Sequence, residues 1–324
     1  IDSMPSPRKF STQQIGLPWL LAGFLLFASS RAVAQNGPSA ASRRDTSPVL
    51  VTVNGTPITE NQLTIYRFLH RLPLHGTGEA RKADLDQLVE NELLRQFLAD
   101  RRAEVDPKRL AAAVKAAKEQ LKREHRDPDK LFPRTSLLEA LLRRELSLTM
   151  AWQVHLGRVL TPQSIRDEFE SHRSELDGTE VRASQIFLKL PENADPAAVR
   201  AAEEKLARLR QEILAGKISF ADAARQHSEA PSAADGGDVG WFGFRGKMPP
   251  EICRVVFRLK KGEISAPFRT KFGMHLYTVT QIRPGNLNLE DVRSSVISRL
   301  SHSLWTQFVA QARAKAQIDW KSPQ

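Results

Sequence analysis

The hydrophobic period of this chain changes twice. Up to Asp177-Gly178 apolar residues recur at helical spacing. They then alternate as in strands, and after Pro284-Gly285 the helical spacing returns. Such a chain is neither a uniform bundle nor a uniform sheet. It calls for a compact mixed α+β unit, 179–284, set inside a helical one. The last stripe, Leu289, Val292, Val296, Leu300, Leu304 and Phe308, is polar on its other face. An isolated helix of that kind is marginal. The C-terminal segment 285–324 is therefore expected to pack on the N-terminal helices of 48–178, making one all-helical domain from both chain ends.

Local signals fill in the elements. Val49, Val51 and Val53 alternate before Asn54-Gly55, a hairpin turn pair. Thr59 with Gln62 reads as a capping box. Leu85, Leu88, Val89, Leu93 and Phe97 share one face of a helix over 80–102. Asp106-Pro107 opens a second, reaching His125, and a leucine stripe from Leu137 to Leu146 marks a third, Ser136 to His155. Thr161-Pro162 opens a fourth, ending near Glu175. In the mixed unit a strand spans Val181–Leu190, and Asp195-Pro196 opens a helix closed by Gly216. Ser219 caps a short helix, and the Gly-rich run GGDVGWFGFRGKM follows. A short helix then holds Val255 to Phe257. Strands around Ile264–Arg269 and Met274–Ile282 complete the order β-α-α-β-α-β-β.

The first residues read as an address. Arg8 and Lys9 precede the apolar run Ile15–Ala28, and Ala32-Val33-Ala34 closes it. That is the three-part pattern of an export signal over 1–34, with Met4 read as its start. The run is shorter than the ~20 residues a spanning helix needs. An uncleaved anchor is the alternative. Residues 35–47, small and polar, read as a flexible tether.

Charge then narrows the partners. Lys and Arg number 48 against 37 Asp and Glu, a net of +11. Loss of 1–34 removes Arg8, Lys9, Arg31 and Asp2 and leaves +9. Seventeen basic and twelve acidic residues fall in 180–283, so the excess is spread over both parts and interleaved with acids. A basic stripe with stacking aromatics is lacking, so nucleic acid is not an expected partner. Weak contact with an anionic membrane surface or with acidic unfolded chains fits better. The Gly-rich run lacks G-K-[ST] and is not a phosphate loop. The histidines show no metal-ligand spacing, and no metal or cofactor is expected. The one cysteine, Cys253, excludes an internal disulfide. It reads as a buried small apolar residue, with a bridge between chains as the alternative.

Five blocks carry a resemblance: RASQIFLK (182–189), SFADAARQHS (219–228), GGDVGWFGFRGKM (236–248), FRLKKGEISAPF (257–268) and FGMHLYTV (272–279). In this order they resemble the parvulin-type peptidyl-prolyl cis-trans isomerases. VNGTPIT and the flanking helices resemble the exported SurA/PrsA foldases. The resemblance implies a four-stranded antiparallel sheet flanked by helices, inserted in a helical chaperone domain. It implies rotation about X-Pro bonds, whose barrier is about 18–20 kcal/mol, in unfolded or partly folded envelope proteins. A periplasmic or cell-envelope location goes with it.

The same resemblance assigns the site. The proline pocket falls on Val239, Phe242, Met248, Ile252 and Phe257. The polar centre falls on His275, Thr270 and Gln185. Ile252 stands where the family usually has an aromatic wall, and two polar positions also depart from the family pattern. Gln185 stands where a first histidine is usual, and Ala230 where a Cys or Asp is usual. Gln185 keeps both donor and acceptor atoms, whereas Ala230 has none. The alternative function is a non-catalytic chaperone whose degenerate parvulin domain binds proline-containing segments. The loop KLPENADP carries no basic cluster, so phosphoserine selectivity is not implied.

Overall fold

The computed structural model describes residues 45–75, 78–132 and 135–321. The leader and residues 35–44 of the expected tether lie outside them. In chain order the elements are β1 (Val49–Val53), β2 (Thr56–Thr59), α1 (Glu60–Leu69), α2 (Gly78–Asp100), α3 (Pro107–Arg123), α4 (Pro128–Leu131), α5 (Thr135–Val159), α6 (Pro162–Ser171), α7 (Arg173–Leu176), β3 (Glu180–Lys189), α8 (Pro196–Leu214), α9 (Phe220–His227), β4 (Asp238–Gly243), α10 (Pro250–Val256), β5 (Phe268–Thr270), β6 (Gly273–Arg283), α11 (Leu289–Arg313) and β7 (Ile318–Trp320). They form two compact units. One holds the described residues up to Thr161 and those from Ser301 onward, and the other is Pro162–Leu300.

In the first unit, Asn54 (φ 49°) and Gly55 (φ 82°) make the two-residue turn between β1 and β2. Thr59 caps α1 by accepting the Gln62 N–H. Ile65, Leu121, Leu138 and Leu142 join α1, α3 and α5 in one buried cluster. Leu94, Leu98, Leu148 and Trp152 form another, which Leu304, Trp305 and Phe308 of α11 complete. The C-terminal helix thus packs on the N-terminal helices. Trp152 Nε1 donates to Ser301 Oγ at 2.8 Å, and the Trp152 and Trp305 rings meet edge to face, 5.5 Å apart.

This unit is not all-helical. β7 pairs antiparallel with β1, giving a three-stranded sheet of order β2-β1-β7. The reason is β1 itself: Val51 and Val53 are fully buried, and a two-stranded ribbon would leave an open strand edge. Residues 45–47, expected as the end of the tether, pack on this unit. Asp45 accepts from Thr59 Oγ1 (2.5 Å) and Asn61 Nδ2 (2.8 Å), so residues 45–47 are held on the start of α1.

The second unit carries an antiparallel sheet of order β4-β3-β6-β5. One face buries Ile186, Leu188 and Leu276 against Leu206 and Leu209 of α8 and Ala223 and Ala224 of α9. The opposite face buries Val181, Ala183, Tyr277 and Val279 against Ile252, Cys253 and Val256 of α10. Both faces are covered, and β6 is buried from Gly273 to Val279. Asp195 and Ser219 cap α8 and α9 as their sequence predicts.

The division falls at 161/162 and 300/301, not at the expected 178/179 and 284/285. Arg299 explains part of it. Its guanidinium bonds Glu168 at 2.6 Å and Glu175 at 2.7 Å, fixing the first half of α11 to α6 and α7. Three further details differ. The helix expected from Thr161 to Glu175 breaks at His172 into α6 and α7. Asp127-Pro128 opens α4, a signal equal to Asp106-Pro107. The strand expected over Ile264–Arg269 shrinks to β5, because Pro267 has no N–H to give a ladder. Ile264 keeps only an isolated bridge to Thr278.

Candidate active site

The site is built on the α10-facing side of β3 and β6. Their register sets Gln185 opposite Tyr277 and Phe187 opposite His275, and β5 brings Phe268 opposite His275 on the other flank. Alternation then stacks His275, Tyr277 and Val279 along one face. The Phe268 and His275 rings stack at 5.4 Å, Phe268 and Tyr277 at 5.9 Å, and Phe187 lies tilted 4.8 Å from His275.

All five expected pocket residues belong to one apolar cluster. Phe242, Ile252 and Phe257 are buried in it, and Val239 and Met248 pack against it half-buried, beside Tyr277 and Phe268. The Phe242 and Phe257 rings meet edge to face at 6.1 Å. Cys253 belongs to the same cluster. It is fully buried, and burial pushes its thiol up to about 11. A thiol so placed is inert. Native protein is expected to resist alkylation at pH 8, and the urea-unfolded protein to label fully; rapid native labelling would refute that burial.

His275 is 4 % exposed, and its Nε2 lies 2.8 Å from Thr270 Oγ1. That oxygen also accepts the Phe272 N–H. Which of Nε2 and the Thr270 hydroxyl donates follows the ring tautomer. Nδ1 is buried and has no protein partner. Burial pushes the imidazole down to about 4, the Glu251 carboxylate opposing only in part. At pH 7 it is a neutral hydrogen-bonding ring.

Gln185 is half-buried, and its Oε1 accepts from the Tyr277 hydroxyl at 2.8 Å. Its backbone N–H donates to Gly237 O at 2.8 Å. Gly237 has φ 84°, and a Cβ there would stand 2.3 Å from Gln185 O, so only glycine allows this approach. Ala230 is buried, with its N–H 3.3 Å from Ser228 Oγ. The neighbouring Glu229 is engaged elsewhere: its N–H donates to Phe187 O, and its carboxylate accepts the Lys189 N–H at 2.7 Å. It closes the strand edge beyond β4. The sequence reading missed Tyr277, Phe187 and Phe268. Tyr277 was within reach, since it stands two residues from His275 in a strand.

An open depression of about 510 Å³ borders the site at Lys189, Leu190, Pro191, Glu229, Lys271 and Phe272. It contains none of the five pocket residues. Among the described residues no group of three His, Cys, Asp or Glu side chains is arranged to hold a metal ion.

Residues 186–281 match the family described as Rotamase, PPIC-type PPIASE domain. A protein named putative peptidyl-prolyl cis-trans isomerase SurA, from Haemophilus influenzae, is 28 % identical over 309 residues, 87 % of this chain and 90 % of its own length. Chaperone SurA from Polaromonas sp. is 36 % identical over 155 residues, 45 % of this chain. That match spans only 31 % of the relative's length. The solved structure of PrsA from Bacillus anthracis is 20 % identical, with a TM-score of 0.40 over 71 % of this chain and 96 % of that one.

Proposed function

Since residues 186–281 match the PPIC-type PPIase domain and the chain is 28 % identical to a SurA protein along most of its length, we propose that it is a parvulin-type envelope foldase. In this reading it catalyses X-Pro isomerisation through Gln185, Thr270 and His275 and holds unfolded chains on its helical unit. The observation that carries the reading is the single apolar cluster uniting Val239, Phe242, Met248, Ile252 and Phe257, with Tyr277 and Phe268 joining it to a neutral His275.

The chemistry needs no covalent step. Rotation about the C–N bond removes amide resonance, so the twisted amide has a more basic nitrogen and a ketone-like carbonyl. Half-buried Val239 and Met248 offer apolar surface for the proline ring. Neutral His275, backed by Thr270, supports the twisted group without a charge. Interactions stronger with the twisted amide than with the planar one accelerate the step. Lowering the barrier by about 4 kcal/mol gives roughly a thousandfold acceleration.

The relative named chaperone SurA, matched over 31 % of its own length, supports the chaperone role, as does a helical unit completed by the second half of α11. The basic n-region, apolar run and A-x-A motif of residues 1–34 support export, with weak contact between the +9 mature chain and acidic clients or membrane surfaces. Among the described residues no helix is long and apolar enough to cross a membrane.

The deciding assay is the cis-to-trans rate of an Ala-Pro peptide with the purified protein. Acceleration well above background is expected. A background rate would remove the enzyme reading and leave the proline-binding chaperone. Suppression of aggregation of an unfolded envelope protein tests the second role.

A further inference from the structure

We propose that Tyr277 is a positioning residue that fixes the side-chain amide of Gln185 with its NH2 group turned toward the substrate. The inference rests on the isomerase reading above and assigns a role that the usual histidine at this position could not fill in the same way.

A carboxamide presents an acceptor and a donor that exchange places by a half-turn about its last torsion. Left free, Gln185 would offer the substrate either one. Tyr277 removes that freedom. Its hydroxyl donates to Oε1, so the oxygen is held inward, and no described protein group accepts from Nε2. The lock is itself immobile. Tyr277 is fully buried, its ring stacks on Phe268, and it belongs to the cluster of the proline pocket. Burial raises its phenol pKa, the nearby Cys253 adding to the effect, so the hydroxyl stays a donor at any working pH. The other end of Gln185 is fixed too, by its N–H to Gly237.

A fixed N–H donor suits this reaction. In the planar X-Pro amide the nitrogen lone pair is delocalised and a poor acceptor. In the twisted amide it is localised and accepts readily. A donor held beside it therefore binds the transition state better than the ground state. Such a contact raises kcat more than it lowers KM.

The test uses the full chain, an Ala-Pro peptide and lineshape or exchange NMR, which separates kcat from KM. Tyr277→Phe keeps the ring and removes the hydroxyl. It is expected to lower kcat about five- to tenfold, the range of one lost hydrogen bond, with KM nearly unchanged. Gln185→Glu keeps the shape and an oxygen for Tyr277 but has no N–H. It should fall at least as far as Tyr277→Phe. In a Gln185→Ala background, Tyr277→Phe should cost nothing further. Thermal melts of each variant check that the fold persists. If Tyr277→Phe keeps full kcat, or lowers it equally in the Gln185→Ala background, the positioning role is wrong while the isomerase reading stands. If Gln185→Glu keeps full kcat, the donor role is wrong. If the unaltered chain does not accelerate the reaction, the isomerase reading fails and this one with it.

Discussion

Trp152→Ala is expected to lower the stability of the helical unit by about 3–5 kcal/mol, the usual cost of truncating a large buried aromatic. Trp152 is 3 % exposed, meets Trp305 edge to face, and donates to Ser301. It lies where α5 receives the second half of α11. The loss should therefore act on one unit only. Denaturant unfolding of the variant should show the helical unit melting early, while peptide isomerisation persists to the original midpoint. Ser301→Ala should cost less, about 1–3 kcal/mol, because it orphans one buried donor and leaves little cavity. A Trp152→Ala protein that unfolds in a single unshifted transition would contradict the packing role assigned to both ends of the chain.

His275→Ala is expected to reduce kcat/KM for an Ala-Pro peptide roughly 5- to 150-fold, which corresponds to about 1–3 kcal/mol for a buried hydrogen-bonding partner lost from the site. Thr270→Val should show a smaller loss in the same direction, because the ring stays between Phe187 and Phe268 while its Nε2 partner goes. The pH profile follows from burial. His275 is pushed down to about 4 from an ordinary 6.5, so the folded state favours the neutral ring. The stability this gives is complete above pH 6.5 and is lost as pH falls from there toward 4, where the unfolded chain takes up a proton that the folded chain refuses. The rate should accordingly stay flat from pH 8 to 5 as far as His275 is concerned. Its ring resonances should not titrate above pH 5. A midpoint near 6.5 by NMR would remove the case for a neutral ring.

Much of the fold was legible because its signals are local. Asp106-Pro107, Asp195-Pro196 and Ser219 start helices through their own backbone and side-chain bonds, and Asn54-Gly55 turns a hairpin by its own φ angles. What was not legible depends on distant partners. β7 is three residues long and is a strand only because β1 offers it an edge. Arg299 draws α6 and α7 to itself across more than a hundred residues, which moved the boundary of the compact unit away from the change in period. The site behaves likewise. The apolar pocket residues and His275 came from motif blocks. The Tyr277–Gln185 bond joins positions 92 residues apart and needs the register of β3 against β6. Ala230 marks the opposite case: its sequence position was clear, yet the polar work beside it falls to Ser228 and to the backbone and carboxylate of Glu229.

The unbroken helix α11 sets an order of events during synthesis. Residues 162–300 are contiguous, so the sheet unit has all its strands and helices once Leu300 has emerged. The other unit is then still missing Ser301 for Trp152, Leu304, Trp305 and Phe308 for the α2–α5 cluster, and the outer partner of β1. Its earliest elements must wait, with apolar surface uncovered, for residues 301–320, since domains form as their sequence becomes available. A ribosome that stalls between Leu300 and Trp320 would hold a nascent chain whose inserted unit is finished and whose enclosing unit is open.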